Sequence, residues 1–222
     1  MIFNNIALLR NNKLFSLTNN LLQCRFEMEV STTQWIAFEI ILLAICEFAP
    51  ISPFLARKLC HVGSGIMMLQ LDPTDYLARW FVYSVAISSL LMVWEVGLPF
   101  QFRYSRPRDV GISMYLVIVV IFFYTQIPLH IIQPVFYADP MGAIIGKGLT
   151  KLYPKYNPQW IGKKTIGGTM AVFITSIVTL TYGSQSQEIL IAFLCAIVEA
   201  ISLDYDNIMI AIVVIAGHKI FG

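Results

Sequence analysis

Eight apolar stretches follow one another down the chain, at 33–48, 61–71, 77–100, 110–132, 134–149, 165–182, 188–203 and 207–221, and charge gathers near their ends. A helix crossing lipid needs about 20 largely apolar residues, because hydrocarbon offers open backbone groups no hydrogen-bond partner. Of the 222 residues, 57% are hydrophobic and 13% charged. Soluble domains carry ~25% charge, and a soluble core of this length could not hide so much apolar surface. The pattern predicts an all-α fold, a polytopic integral membrane helical bundle of about seven or eight spans with the lipid bilayer as its first partner. The stretch at 61–71 is short for a span. It is either re-entrant or extends back through Arg57 inside a polar pocket. With no long linker, repeat or low-complexity tract, residues 31–222 read as one transmembrane domain.

Residues 1–30 form an N-terminal tail with no acid before Glu27, while Arg10, Lys13 and Arg25 are basic. An acid-poor, arginine-bearing leader fits an organellar targeting segment. An interfacial or unstructured amphipathic tail fits equally well. The expected location is therefore the endoplasmic reticulum or an organellar membrane, plastid or mitochondrial. The four cysteines, Cys24, Cys46, Cys60 and Cys195, lack the CxxC spacing of a zinc site and suggest no disulfide framework.

The few charges are unevenly placed. If all eight stretches cross, alternate loops share a side, and one side collects Arg57, Lys58, Arg103, Arg106, Arg108, Lys147, Lys151, Lys155, Lys163 and Lys164. The positive-inside rule explains that asymmetry by topology alone. Yet Asp109, Asp204, Asp206 and Asn207 join the same face. Cations interleaved with carboxylates suit a metal–polyphosphate ligand, the cations neutralising phosphate oxygens and the carboxylates holding Mg²⁺. Nothing in the pattern suggests a nucleic-acid partner.

Four segments carry the chemistry. On a helix, Arg57 and His61 share a face beside Lys58, Gly63 and Gly65, which suits a phosphate or an ordinary positive anchor. In the second, Asp139 sits within an apolar stretch, where a carboxylate is costly and usually functional. Gly142 and Gly146 follow at helical spacing, a smooth face that also lets two helices pack closely. In Gly162–Lys163–Lys164–Thr165–Ile166–Gly167–Gly168, Thr165 is a candidate N-cap, and a helix start beside two lysines can receive phosphates. The last segment holds Glu199, Ser202 and Asp206, which share a face if one helix continues through them, followed by Asn207.

In this order, from about Arg57 to Asn207, the segments resemble the CTP-dependent lipid-alcohol kinases, the dolichol, polyprenol and phytol (or farnesol) kinase family. The resemblance rests on Arg57-Lys58-x-x-His61-x-x-x-Gly65, Asp139-Pro140-x-Gly142-x-x-x-Gly146, Lys163-Lys164-Thr165-x-x-Gly168, and Glu199 with Asp206-Asn207. It implies transfer of the γ-phosphoryl group of CTP to an isoprenoid alcohol, with Mg²⁺ as cofactor. Asp139, Lys164 and His61 would be the catalytic residues. Arg57, Lys58, Gly142, Gly146, Lys163, Thr165, Gly168 and Asn207 would contact the nucleotide. Asp139, Glu199 and Asp206 would hold metal.

Three departures matter. The family has a glutamate before the final glycine of the lysine motif, and this chain has Gly167. That substitution motivates a second reading, a catalytically degenerate relative serving as an accessory or structural subunit of a larger membrane complex. The connection at 151–162 is longer than the family's usual spacing. Asp139 also stands several residues from the basic loop, so a broken or tilted helix at Pro134 and Pro140 is expected. A weaker alternative is a phosphatidate cytidylyltransferase-like enzyme.

Overall fold

The computed structural model describes residues 31–96 and 101–222; the N-terminal tail, with its targeting reading, lies outside the described residues. Short polar residues start the helices, as free backbone N–H groups require. Ser31 and Gln34 form a capping box before α1 (Thr32–Phe48). The Ser52 hydroxyl accepts from the Leu55 amide ahead of α2 (Pro53–Gln70), which has Pro53 in its first turn. Asp75 caps α3 (Tyr76–Val93), and Asp109 caps α4 (Val110–Thr125). A 3₁₀ turn at Leu129–Ile132 leads into α5 (Gln133–Leu152). Thr165 caps α6 (Ile166–Thr179), and a Ser184–Gln187 box opens α7 (Gln185–Ile201). After a 3₁₀ turn at Leu203–Tyr205 comes α8 (Asp206–Phe221).

The all-α reading holds, and the helices fall on the eight apolar stretches. The short stretch at 61–71 proves to be the inner half of α2, whose helix runs back through Arg57 to Pro53. One small feature was not anticipated. The long connection after α5 folds into an antiparallel hairpin, β1 (Gln159–Ile161) with β2 (Lys164–Thr165), turning at Gly162 with φ of 51°. A left-handed residue at that turn favours glycine, and Lys163 follows it at the tip.

Two further expectations are corrected. Helix α5 is continuous across Pro140, so no break delivers Asp139 to the basic face. The connection folds back along α5 instead, and Lys164 returns to meet it. Nor does one helix continue from Glu199 to Asp206. Helix α7 stops at Ile201, and the 3₁₀ turn re-aims the chain before α8.

Helix α5 is the hub, packed on α6, α2 and α8. Its Val135 and Phe136 join Phe123, Ile132, Ile191 and Ile210 in the core, all fully buried. Around that core the usual polarity is inverted. Ile40, Ile41, Ile87 and Ile174 are each more than half exposed, while Glu39, Asp139 and Glu199 are buried. By length and composition, α3 is the one helix among the described residues able to cross a bilayer; α4 and α6 are apolar but shorter. Cys46, Cys60 and Cys195 are free thiols.

Candidate functional site

The polar groups of distant segments meet where α2, α5, the hairpin and the α7–α8 turn converge. Lys58 of α2 donates from Nζ to Asp139 Oδ2 of α5 at 2.7 Å, joining residues 81 positions apart. Lys164 of β2 pairs with Glu199 of α7, and its Nζ lies 3.4 Å from Asp206 Oδ2 of α8. Asp139, Glu199 and Asp206 present carboxylate oxygens that all lie within 4.8 Å of one another. Burial works against the Lys164 charge, but Glu199 and Asp206 outweigh it and raise the ammonium above its ordinary lysine range.

His61, one turn inward from Arg57, faces the same carboxylate, with Nδ1 3.7 Å from Asp139 Oδ2. Its Nε2–H donates to the Val135 carbonyl at 3.1 Å, the role left when the partner can only accept. That bond turns the Nδ1 lone pair toward Lys58 and Asp139. Tyr115 holds the ring edge-on, with centroids 4.5 Å apart.

Arg57 stands differently. Both terminal guanidinium nitrogens donate to Asp109, the cap of α4. Burial opposes the Asp109 charge, yet Arg57 and the Ile112 amide hold the carboxyl below its ordinary value. Asn207 donates from Nδ2 to the Gly111 carbonyl at 3.2 Å, tying α8 to the same corner. These two residues brace helix ends while still bordering the cavity, and Asn207 Oδ1 is buried with no hydrogen-bond partner.

The glycines of the second motif also have a structural task. A methyl at Gly146 would stand 2.9 Å from Thr165 Oγ1 and 3.1 Å from Gly168 Cα, and one at Gly142 would collide with Val172. They seat α5 against the start of α6. Thr165 Oγ1 accepts from the Gly168 amide at 3.2 Å, as the capping signal predicts.

A cavity of about 1010 Å³ opens over this assembly. Lys58, Asp139, Lys163, Lys164, Glu199 and Asp206 line it, together with Gly142, Gly146, Thr165 and Gly168. Lys147 reaches it from α5, resting 4.0 Å over the Phe54 ring. A second, smaller cavity of about 170 Å³ lies between α1 and α4 and takes in His61 and Asn207. Arg57, Lys58, Arg106, Asp139, Asp204 and Asp206 line both.

Every site residue expected from sequence therefore borders one cavity or the other. Three others were missed. Asn157 is buried and donates to the Gly146 carbonyl and to Thr150 Oγ1, each at 2.9 Å, while its Oδ1 accepts from the Gly167 amide at 2.8 Å. It pins the hairpin to α5. A side chain at Gly167 would strike Leu149 and Asn157, so that position points away from the carboxylates. Glu39 and Tyr115 line the smaller cavity. Glu39 carried a readable signal, an acid in the middle of an apolar stretch; Asn157 in a polar loop carried none.

The three carboxylates supply hard oxygen ligands of the kind Mg²⁺ takes, and Glu199 Oε2 is buried without a hydrogen-bond partner. The residues thus fit such an ion. Comparison with protein families, with curated proteins and with solved structures finds no match.

Proposed function

We propose that this protein is a polytopic membrane kinase that transfers the γ-phosphoryl group of CTP to the hydroxyl of an isoprenoid alcohol. The observation that carries the reading is convergence. Ion pairs linking residues 81, 35 and 42 positions apart meet beside a void large enough for a nucleoside triphosphate. Structural pairs alone would have no need of that space. The choice of CTP and of isoprenoid acceptors comes from the motif resemblance.

The membrane part of the proposal draws on the inverted polarity. Isoleucines face outward on α1, α3 and α6 while acids turn inward, the arrangement lipid rather than water rewards. Two helices of spanning length, α2 and α5, are less apolar because they carry charges of the site. Helix α2 includes Arg57 and Lys58, and α5 includes Asp139 and Lys147.

In the proposed reaction, Lys163, Lys164 and Lys147 receive the phosphates, and Lys164 exchanges carboxylate oxygens for phosphate oxygens as the nucleotide enters. Mg²⁺, held by Asp139, Glu199 and Asp206, would supply charge neutralisation at the β- and γ-phosphates. Asp139 accepts the acceptor's hydroxyl proton. A bond forms from that oxygen to the γ-phosphorus, the bond to the β–γ bridging oxygen breaks, and CDP leaves with its electron pair. Lys58 holds Asp139 in place, and His61 packs beside it. Positioning and charge neutralisation are what phosphoryl transfer chiefly requires.

The test uses full-length protein in lipid nanodiscs with γ-labelled CTP, Mg²⁺ and farnesol, phytol or a polyprenol. Label should move to the lipid, and Asp139→Asn and Lys164→Ala should each stop it. Absence of label with every alcohol would remove the proposal; a lipid gaining CMP would favour the cytidylyltransferase reading. One observation favours the accessory-subunit reading. Lys58 and Lys164 are already paired with carboxylates. Stable co-purification with a larger complex, without turnover, would support it.

A further inference from the structure

We infer that the smaller cavity is the acceptor chamber and that it selects a lipid whose head carries two hydroxyls rather than one. This rests on the kinase reading for the direction of use and narrows its acceptor, from isoprenoid alcohols as a class to those carrying a second hydroxyl near the one that reacts. The chamber and the nucleotide cavity share the partition formed by Lys58, Asp139 and Asp206. A hydroxyl in the smaller cavity can therefore reach Asp139 from the side opposite the phosphates. Its walls include Leu43, Val85, Val93 and Leu116, from α1, α3 and α4, which suit the first carbons of a lipid chain.

The chamber is not uniformly apolar, and that decides the substrate class. Glu39 is 3% exposed; its Oε1 accepts from the Ser64 hydroxyl at 2.6 Å, and its Oε2 is buried with no hydrogen-bond partner. The Tyr115 hydroxyl is buried and unpartnered too. Both residues line this cavity. Arg57, His61 and Ser64 stand at i, i+4 and i+7 of α2 and share a face. Glu39, held by Ser64, therefore sits about one turn, roughly 4.5 Å of rise, beyond the His61–Asp139 pair. A monohydric alcohol with its oxygen at Asp139 would bring only carbon to Glu39 Oε2, leaving a buried acceptor unpaired. A second hydroxyl within a few bonds of the first would donate to Glu39 and accept from Tyr115.

The experiment loads full-length protein in nanodiscs with 1,2-dodecanediol or 1-dodecanol and counts retained ligand by native mass spectrometry. Wild type should retain the diol about tenfold or more over the monohydric alcohol, as sites built to pair a hydroxyl discriminate against its loss. Glu39→Leu should bring the two within about twofold of each other, a loss of most of that discrimination. Tyr115→Phe, the gentler change should Glu39→Leu fail to fold, should narrow the preference as well. Equal retention by wild type, retention of neither, or a preference unmoved in the folded variants would overturn the inference. The kinase reading is scored separately with γ-labelled CTP. Diol retained but never labelled defeats the kinase and leaves the chamber; monohydric alcohol labelled and retained as well as diol does the reverse.

Discussion

Two ends of one stripe on α5 behave differently. Asp139, Gly142 and Gly146 follow at helical spacing and read as one motif, but they meet different neighbours. The Asp139 end faces α2, where Lys58 and His61 crowd a single carboxylate. The Gly142–Gly146 end has no side chain and takes the start of α6 almost against its backbone, beside Thr165, Gly168 and Val172. Charge organises one end and contact distance the other. A motif can thus carry buried charge at its first residue and architecture in the rest, with the second part holding the first in register.

The seam should give the largest effect. Gly142→Leu drives a branched side chain into Val172 and against the Gly168 carbonyl, a clash with backbone that no rotamer change relieves, so α5 and α6 cannot close on each other. We expect no monodisperse protein by size-exclusion chromatography in detergent. A well-behaved Gly142→Leu protein with wild-type label transfer would show that the helices do not meet this closely. The charged end should fail differently. Asp139→Asn should fold and insert while losing about 10²–10⁴ in turnover, the range for a positioned proton acceptor. It also strips Lys58 of its charge partner, and breaking a buried pair from one side costs about 3–5 kcal/mol. Replacing both, Lys58→Met with Asp139→Leu, should restore much of the melting temperature and none of the transfer. If the double variant melts no higher than the single one, the pair is not the buried unit described here.

The contrast also marks what was legible from residues alone. The helices were readable because apolar runs mark their extents and Thr165 marks one start, whereas Asp75 and Asp109 cap two more helices without having been read as caps. Costly acids such as Asp139 and Glu199 were readable as site members, since burial of a carboxylate demands a reason. Which partner each acid takes was not. The pairs Lys58–Asp139 and Lys164–Glu199 depend on the connection after α5 folding back as a hairpin, and the two short strands leave no periodic trace. The pairing of Arg57 with Asp109 was not readable either, because Asp109 was read only as one member of the charged face. Glu39 was overlooked although it obeys the same rule as Asp139.

The brace offers a pH test with a defined sign. Asp109 is held below its ordinary value of 3.8, so its pairing contributes stability above that value, lost as pH falls through the lowered one. Arg57→Met removes the cation and leaves a buried carboxylate, whose affinity for a proton then rises. The variant's stability should therefore increase as pH drops from about 6 toward 4, opposite to the wild type's trend at lower pH. Thermal melting at stepped pH reads this directly. Parallel curves for the two proteins would mean that Asp109 is solvated and Arg57 is not its support.

The smallest effect belongs to Thr165, where cap and seam compete to explain one side chain. Its Oγ1 accepts from the Gly168 amide and also stands where a methyl on Gly146 would fall. As a cap it is worth about 1 kcal/mol. For a chain of this size that corresponds to a melting shift of roughly 2–4 °C. Thr165→Ala should show that shift, and Thr165→Ser, which keeps the oxygen, should recover it. That oxygen makes both contacts, so Thr165→Val separates the roles: it keeps the shape at the seam but cannot accept from the Gly168 amide, and as a lost cap it should melt like alanine. A valine variant that melts like wild type would move Thr165 from the helix start to the packing seam.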